Sequence, residues 1–418
     1  MKKRILLLTQ WFEPEPTFKG LVFARELVAR GFEVEVVTGF PNYPGGKIYS
    51  GYQVSPLRRE KVEGIEVTRL ALYPSHDASV LRRIANYGSF AFSAMVYCLF
   101  VARRPDVICA YQLPTTAIVA AMAKWFRGIP FVYDVQDMWP DTLRATDMMR
   151  APALLTVVGT VANWTYRHAD ALVVNSRGFR DLLAERGVPL ERMTVVLNWC
   201  DERSLTGGRE GGTGTRRANG RFRILFAGNM GLAQALDAIL DAAALLQTKA
   251  PNIDFVFIGS GVEGERLRER AQKDGLQNVE FLPRVPMNEV GVFLRQADAL
   301  LVHLKDDPLF AITIPGKTQA YMAIGKPILM AAPGNAAELV RQAHCGVEAT
   351  PEDATSIAEA AMTLAAMSPG ELAAMGERGK SYYESTLALS VGVDRFTGVF
   401  ERVIRGVSIG TPSNDSVR

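Results

Sequence analysis

Short, near-continuous apolar runs that alternate with helical patterns constrain the fold of this 418-residue chain more than any other feature. In the first half these runs lie at residues 4–9, 32–38, 65–72, 106–111, 131–135, 171–175 and 194–197. Runs of this length indicate strands that are buried on both faces, and helical spacing such as that at 20–30 and 115–126 separates them. The alternation predicts a parallel sheet with helices on each side, which is a doubly wound, Rossmann-like α/β domain.

A glycine-rich break at 207–215 divides the chain, and the same pattern then restarts. Further strand runs lie at 222–227, 253–258, 279–282, 299–304 and 328–331. The sequence therefore predicts two doubly wound domains that face each other across a cleft. The predicted boundaries are an N-terminal domain at 1–203, a flexible linker at 204–220, a second domain at 221–385, a C-terminal helix at 386–405 and a disordered tail at 406–418.

Composition argues against several classes of protein. The net charge is only +3, and no basic face with interleaved aromatic residues is visible, so nucleic acid is not an expected partner. The four cysteines are scattered in apolar surroundings, which predicts buried free thiols in a reducing cytosol. No histidine or cysteine pair has metal-ligand spacing, so a zinc site is not expected.

One segment, 87–102, contains no charged residue and is flanked by arginines at 82–83 and 103–104. It is shorter than the roughly twenty apolar residues that a membrane-spanning helix needs. We expect a buried core helix here. The alternative is a helix that lies on a membrane surface, with its flanking arginines against anionic headgroups.

The segment 314–327 has the pattern of a loop, a short helix and a stop. Pro315 suits the first turn of a helix, Gly316 allows close backbone approach to a ligand, and Gly325 suits the helix end. Lys317 falls in the first turn, where a cation opposes the helix dipole, so a bound anion such as phosphate is expected. The alternative is an ordinary loop-to-helix junction with a solvated lysine.

A second candidate phosphate site follows the strand at 222–227. Gly228 and Gly231 are three residues apart, with Asn229 between them, and would permit backbone approach to a pyrophosphate. A tight turn is the alternative. The similar turn at 259–261 follows the next strand, and there a structural role is favoured.

Three loops of the first half follow predicted strands and carry side chains suited to a polar ligand. The loop at 11–20 combines aromatic rings with Glu13 and Glu15, a composition that suits sugar rings and their hydroxyls. The loop at 40–46 is similar in character. The loop at 134–141 carries carboxylates that are not expected in the core, with Asp137 as the candidate ligand contact and Asp141 as a candidate helix cap. A packed surface loop is the alternative for the first two.

Taken in order, these segments resemble the retaining glycosyltransferases of family four, which have the GT-B fold. They look most like the branch that builds bacterial surface polysaccharides such as colanic acid, O-antigen and exopolysaccharide. The resemblance runs from about residue 3 to residue 404 and rests on motifs at 13–20, 39–44, 137–141, 227–231, 259–261 and 315–327. It implies that the C-terminal helix crosses back to the first domain.

The resemblance implies a nucleotide-sugar donor, a UDP sugar being common in this branch, held by the second domain, and an acceptor held by the first. It also implies no tightly bound cofactor and no metal, because backbone N–H groups and basic side chains stabilise the leaving diphosphate in this family. The implied catalytic residues are Lys317 and Asp137. The implied donor-binding residues are Gly20, Gly228, Asn229, Gly231, Arg284, Thr313, Gly316 and Lys317. The implied acceptor-binding residues are Glu13, Glu15, Asn42, Tyr43 and Trp139.

The sequence departs from the family pattern at two places. Ile312 and Ala320 stand where typical members carry two glutamates, and Asn229 and Gln234 lie near the places of a common arginine and lysine. The departures place more of the charge stabilisation on Lys317 and leave the ribose contact open.

The expected function is transfer of a hexosyl or N-acetylhexosaminyl group to a lipid-linked saccharide in surface polysaccharide or lipopolysaccharide synthesis. The expected location is cytoplasmic, with peripheral association at the inner face of the cell membrane. Two alternatives stay open. One is a sugar-nucleotide epimerase or hydrolase, and the other is a non-catalytic partner subunit of a transferase, motivated by the missing glutamates.

Overall fold

A computed structural model describes residues 2–75, 79–145, 151–202, 205 and 220–406. Within them the chain divides into two compact α/β units. The first comprises Met1–Asn175, Phe179–Val196 and Val393–Arg418, and the second comprises Ser176–Gly178 and Leu197–Gly392. The predicted linker and tail lie outside the described residues, apart from Leu205, Gly220 and Gly406.

The first unit is built on an eight-stranded sheet of order β3-β4-β2-β1-β5-β6-β7-β8. Neighbouring strands are parallel except for β3 and β4. The strands are β1 Arg4–Leu8, β2 Glu33–Gly39, β3 Leu57–Val62, β4 Ile65–Leu70, β5 Val107–Tyr111, β6 Phe131–Val135, β7 Ala171–Val174 and β8 Met193–Val195.

The central strands of this sheet are buried on both faces, as their continuous apolar runs predicted. Every residue of β1, β5, β6 and β7 is buried. β3 was not predicted, because its Leu-Arg-Arg-Glu-Lys-Val pattern is polar. This strand lies exposed and antiparallel at the sheet edge, where charged side chains remain in water.

The helices of the first unit are α1 Leu21–Ala29, α2 Val80–Val96, α3 Pro114–Arg127, α4 Asp141–Ala145, α5 Pro152–His168 and α6 Arg177–Glu185. A π-helical turn at Tyr97–Val101 continues α2. The expectation that this apolar segment is a buried core helix is wrong. Only 28% of its most apolar 18-residue window is buried, and by length and composition alone Leu81–Val101 would suffice to cross a membrane.

The second unit is built on a six-stranded, wholly parallel sheet of order β11-β10-β9-β12-β13-β14. Its strands are β9 Phe222–Asn229, β10 Ile253–Ser260, β11 Val279–Leu282, β12 Ala299–His303, β13 Ile328–Ala331 and β14 Gly346–Glu348. Chain order reverses between β9 and β12, so the crevice at the carboxyl ends of these two strands is the place where a doubly wound sheet binds its ligand.

The remaining helices are α7 Asp237–Lys249, α8 Gly264–Lys273, α9 Met287–Gln296, α10 Pro308–Ala311, α11 Gly316–Ile324, α12 Asn335–Gln342, α13 Ala354–Ala366, α14 Pro369–Tyr382 and α15 Leu389–Arg405. From Val393 onward, α15 belongs to the first unit. There the Phe396 ring lies 5.1 Å from Phe23 of α1, and Arg30 donates to Asp394 at 2.6 Å.

All four cysteines are buried and free, as predicted.

Candidate functional site

The second unit holds a buried amine at the carboxyl end of β9. Lys317 lies in the first turn of α11, and its Nζ lies 3.4 Å from the centroid of the Phe226 ring of β9. The Nζ is buried and has no hydrogen-bond partner among the described residues. Thr318 Oγ1, next along the helix, is also buried and unpaired there. An amine with three donors and no acceptor is suited to receive an anion.

Gly228 provides the wall beside this amine. Its φ of +136° is a conformation that favours glycine, and a Cβ added there would lie 3.5 Å from Lys317 Nζ. Gly259 of β10 pairs with Gly228 and has a φ of +147°. A side chain at Gly259 would place Cβ 1.9 Å from the Gly228 carbonyl oxygen. The favoured structural role of the 259–261 turn is therefore supported, because it lets β9 and β10 approach here.

Tyr321 fixes the position of α11 over the end of β9. It lies one turn beyond Lys317, and its hydroxyl accepts the Ala227 N–H at 2.9 Å. β12 pairs with β9 only at Ile224 and Leu225, whereas β10 pairs with β9 as far as Asn229. Beyond Leu225, the backbone of β9 therefore does not pair with β12. There the Tyr321 hydroxyl accepts the Ala227 N–H instead. This contact places Lys317 at the carboxyl ends of β9 and β12, where the chain order of the strands reverses.

Burial lowers the pKa of Lys317 to about 7, because the charged form loses its water without gaining a partner. Desolvation is the cause, and no carboxylate contact opposes it. At neutral pH the side chain is therefore poised between its two protonation states. An anionic ligand beside it would favour the ammonium form.

The turn after β9 is stabilised by His303, which was not among the predicted site residues. Gly231 N–H donates to Gln234 Oε1 at 3.0 Å. His303, at the end of β12, bonds to the Gln234 carbonyl through Nδ1 at 2.6 Å and accepts the Glu352 N–H on Nε2 at 3.1 Å. These partners assign the proton to Nδ1, and burial lowers the pKa of His303. Its position near the carboxyl end of the predicted strand at 299–304 was the sequence signal that could have identified His303 as a site residue.

The other predicted donor-binding residues lie near this point or farther along the sheet edge. Asn229 and Gly316 are exposed, at the end of β9 and the start of α11. Thr313 donates its hydroxyl to the Leu309 carbonyl at 2.8 Å, so its side chain serves the turn before α11. Arg284 is exposed in the loop after β11, two strands away from β9.

In the first unit, the buried carboxylate of Glu15 joins two loops by hydrogen bonds. It is 2% exposed, and its Oε1 accepts the N–H groups of Asn42 and Tyr43, each at 2.7 Å. Its Oε2 accepts the Phe12 N–H at 3.3 Å. Burial raises its pKa to about 7. The carboxylate predicted to contact an acceptor is thus used to tie the loop after β1 to the loop after β2.

Glu13 and Gly20 form a second internal contact. Gly20 precedes α1, and Glu13 Oε1 accepts the Leu21 N–H at 2.8 Å. A Cβ on Gly20 would lie 2.3 Å from that oxygen, so glycine is required for the carboxylate to approach. Glu13 thus occupies the space beside Gly20, where the resemblance had implied contact with the donor. Its Oε2 is buried without a partner in the described part of the chain, and burial raises its pKa.

Asn42 belongs to a buried amide network. Its Nδ2 donates to the Phe40 carbonyl, and its Oδ1 accepts from Asn86 Nδ2 at 3.3 Å. Gln10 donates to Asn86 Oδ1 at 2.6 Å. This network fixes the loop shape rather than facing a ligand.

Tyr43 instead joins an aromatic cluster at the end of β1. Its ring lies 4.8 Å from Trp11, which lies 6.3 Å from Tyr87. All three rings are half-buried, so they keep exposed faces on which a sugar ring can stack. Trp11 and Tyr87 were not among the predicted residues, because only the fold brings α2 against these loops.

The expectation that no carboxylate of the 134–141 loop lies in the core is wrong for Asp134. It is fully buried and accepts from Lys19 Nζ at 2.6 Å, and both side chains are 1% exposed. Asp137 lies just beyond β6. Burial raises its pKa, and a hydrogen bond from Gln112 opposes that rise. A carboxyl group with a raised pKa is suited to proton transfer.

Trp139 and Asp141 are held by Arg186, which sequence reasoning missed. Arg186 donates to the Trp139 carbonyl at 3.0 Å and to the Asp141 carboxylate, which stands in the first turn of α4. The Trp139 Nε1 is buried and lacks an acceptor within the described residues, so it remains available to a ligand group.

Comparison with known proteins assigns both units. Residues 21–199 match the family described as Glycosyl transferase 4-like domain, and residues 214–382 match the family described as Glycosyl transferases group 1. The chain belongs to the glycosyltransferases. The colanic acid biosynthesis glycosyl transferase WcaI of Escherichia coli (strain K12) is 26% identical over 311 residues, 72% of this chain and 75% of WcaI.

Two solved structures share the fold of this chain. Sucrose-phosphate synthase of Thermosynechococcus elongatus superposes with a TM-score of 0.71 at 14% identity, covering 97% of this chain and 100% of that one. HepE of Anabaena, in complex with UDP and glucose, gives a TM-score of 0.63 at 17% identity over 95% of this chain and 99% of HepE. The two parallel-sheet domains are those of the GT-B fold, as predicted.

The glycosyltransferase lacks carboxylates at the two places noted in its sequence. Ile312 follows α10, and Ala320 lies on α11 beside Tyr321. No group of three or more His, Cys, Asp or Glu side chains in the described ranges is arranged to hold a metal ion. Metal independence stays a prediction.

Proposed function

We propose that this glycosyltransferase moves a sugar, with retention of anomeric configuration, from a UDP sugar to a lipid-linked saccharide in bacterial surface polysaccharide synthesis. The observation that carries the donor half of the proposal is the buried, unpaired Nζ of Lys317 beside Gly228. The relationship to WcaI, named for colanic acid biosynthesis, supports the acceptor half.

The chemistry follows from the position of that amine. In the transfer, the bond from the anomeric carbon to the diphosphate oxygen breaks, and the acceptor hydroxyl oxygen forms the new bond while its proton passes to a phosphate oxygen. Negative charge therefore grows on the diphosphate. A cation already stripped of water stabilises that charge strongly, because it need not be desolvated during the reaction. The N-terminus of α11 adds backbone N–H groups at Gly316.

The acceptor side is assigned to the first unit. The half-buried rings of Trp11, Tyr43 and Tyr87 provide stacking surfaces, and Trp139 Nε1 and Glu13 Oε2 are unpaired polar atoms in the described part of that unit. Asp137 is the group that we assign to hold the acceptor hydroxyl by a hydrogen bond, while the hydroxyl proton passes to the phosphate oxygen.

The test begins with nucleotide binding and ends with product. Thermal unfolding of the full chain is measured with a panel of uridine, guanosine, adenosine and thymidine diphosphate sugars. A ligand at one hundred times its Kd stabilises the folded state by about 2.7 kcal/mol, so the donor should raise Tm clearly. Lipid-linked saccharide from cell membranes is then added, and the product mass is measured.

Each outcome selects one function. Nucleotide release together with a mass increase on the lipid-linked saccharide supports the transferase. Conversion of the donor in water without any acceptor would instead identify an epimerase or hydrolase. If no nucleotide sugar raises Tm or is consumed, the protein is a non-catalytic subunit, and the two missing carboxylates would account for it.

A further inference from the structure

Three helices of the first unit expose an unusually apolar surface. α2 packs against α3, and α3 packs against α5. The exposed apolar residues of these helices and of the π-helical turn, called here the apolar face, are Leu81, Ile84, Phe92, Val96, Phe100, Val101, Trp125, Phe126, Leu154, Val157 and Val161. Monomeric soluble proteins rarely expose so many large apolar side chains together.

Along α2 and the π-helical turn, the most exposed apolar residues form one helical stripe. Leu81, Phe92 and Phe100 are 79%, 70% and 81% exposed and recur at helical spacing with Ala85, Gly88 and Val96. The opposite side of the helix is folded into the unit, where Phe90 is fully buried and Asn86 bonds to Gln10. Because one side of the helix is packed into the unit at these residues, the helix lies along the surface rather than leaving the domain to span a membrane.

Specific contacts join the three helices into one face. Arg127, at the end of α3, donates to the carbonyls of Cys98 and Ala102 and so places Trp125 and Phe126 beside the π-helical turn. On the other side, the Trp125 ring meets Trp164 of α5 edge to face at 5.4 Å. Aromatic rings with one polar edge favour the boundary between lipid and water.

The charges of these helices have one sign. α2, the π-helical turn, α3 and α5 contain no aspartate or glutamate, and their charged residues are Arg82, Arg83, Lys124, Arg127 and Arg167. Arg103 follows the turn and is exposed, with Glu33 3.4 Å away. A symmetric second copy of the chain would add more basic residues and would bring no acid on these helices to pair with them. An anionic lipid surface complements both the apolar and the basic groups.

We propose that the apolar face docks the protein onto an anionic lipid bilayer. The large apolar side chains enter the boundary of the acyl chains, and the exposed Arg82 and Arg103 contact headgroup phosphates. This docking needs neither donor nor transfer and therefore stands apart from the proposed function. Its consequence for that function is that a lipid-linked acceptor is met at the surface where it resides.

The experiment is co-sedimentation of the full chain with vesicles of phosphatidylethanolamine and phosphatidylglycerol, or of phosphatidylcholine alone. A face variant carries Phe92→Ser, Phe100→Ser and Phe126→Ser, and a charge variant carries Arg82→Gln and Arg103→Gln. A matched control carries Val28→Ser and Leu190→Ser, which are exposed apolar residues of the same unit outside the face. We expect the face variant to bind anionic vesicles at least about tenfold more weakly, and the charge variant to lose most of its preference for anionic lipid.

Three further readouts make the outcome decisive. Unchanged Tm and an unchanged response to the nucleotide sugar show that the face variant is folded, so its loss of vesicle binding supports the proposal. Equal vesicle binding by the face variant and the control would overturn it. A wild-type dimer in light scattering that the face variant dissociates, without vesicle binding, would assign the face to a second copy. Failure of every variant to bind nucleotide would count against the proposed function alone.

Discussion

The ammonium nitrogen of Lys317 lies against the ring of Phe226, 3.4 Å from its centroid, with no acceptor among the described residues. An aromatic face stabilises a cation by about 0.5–2 kcal/mol, which is small beside the cost of burying one. The buried Nζ of Lys317 is therefore held without a hydrogen-bond acceptor from the described residues of its own domain. Such an arrangement is expected where a ligand completes the site.

Replacing Lys317 by alanine should lower kcat by roughly two to three orders of magnitude, because one preorganised donor to the diphosphate is lost. Steady-state kinetics with the donor found in the nucleotide screen measures this. Lys249→Ala, at an exposed site in the same domain, should leave kcat unchanged. A decrease of less than tenfold for Lys317→Ala would refute its proposed role.

Replacing Lys317 by methionine should stabilise the ligand-free protein by roughly 4 kcal/mol at pH 7, because holding the amine buried without a partner costs about 1.4 kcal/mol for each unit by which its pKa falls. The unfolded lysine binds a proton up to about pH 10.5, whereas the folded one loses it near pH 7. Since the unfolded state binds more protons in this window, wild-type stability should rise with pH between these values. Urea unfolding of both proteins should therefore show a difference that is largest below pH 7 and reaches its smallest, constant value above pH 10.5, where the amine is neutral in both states. A destabilised methionine variant would show that the lysine serves folding.

Donor binding should take up a proton. The diphosphate favours the ammonium form, so the pKa of Lys317, about 7 in the free protein, rises in the complex. Titration calorimetry at pH 8 in buffers of different ionisation enthalpy should show net proton uptake, and affinity should fall as pH rises above 7. The Lys317→Met variant should bind weakly and without proton uptake. Identical uptake by wild type and variant would place the titrating group elsewhere.

Gly20→Ala should destabilise the first domain by about 1–3 kcal/mol, because its Cβ would overlap the side chains of Glu13 and Thr17. In a double-mutant cycle, the same change in a Glu13→Ala background should cost less, since one of the two obstructing groups is gone. Urea unfolding of the four proteins measures the coupling. Strict additivity would mean that the carboxylate does not depend on Gly20 for its position.

Part of the site could be predicted from the sequence. Pro315, Gly316 and Gly325 mark a helix whose first turn carries Lys317, and such local signals survive folding because they act over a few residues. Gly228 and Gly231, at the end of β9 and just beyond it, could be predicted for the same reason. Glu15, Asn42 and Asp134 were not, because a polar residue in a loop gives no local sign of whether distant groups will bury and bond it.

By itself, the sequence determined the two parallel-sheet domains, since apolar runs with helical spacing between them leave few ways to cover both faces of each strand. Only the tertiary structure decided that Lys317 is buried against Phe226 without an acceptor, and that the apolar segment after Arg83 lies outward beside Trp125 and Phe126. Both facts depend on which segments, far apart in the chain, come to lie together. Burial and pairing are properties of that assembly, and no local pattern encodes them.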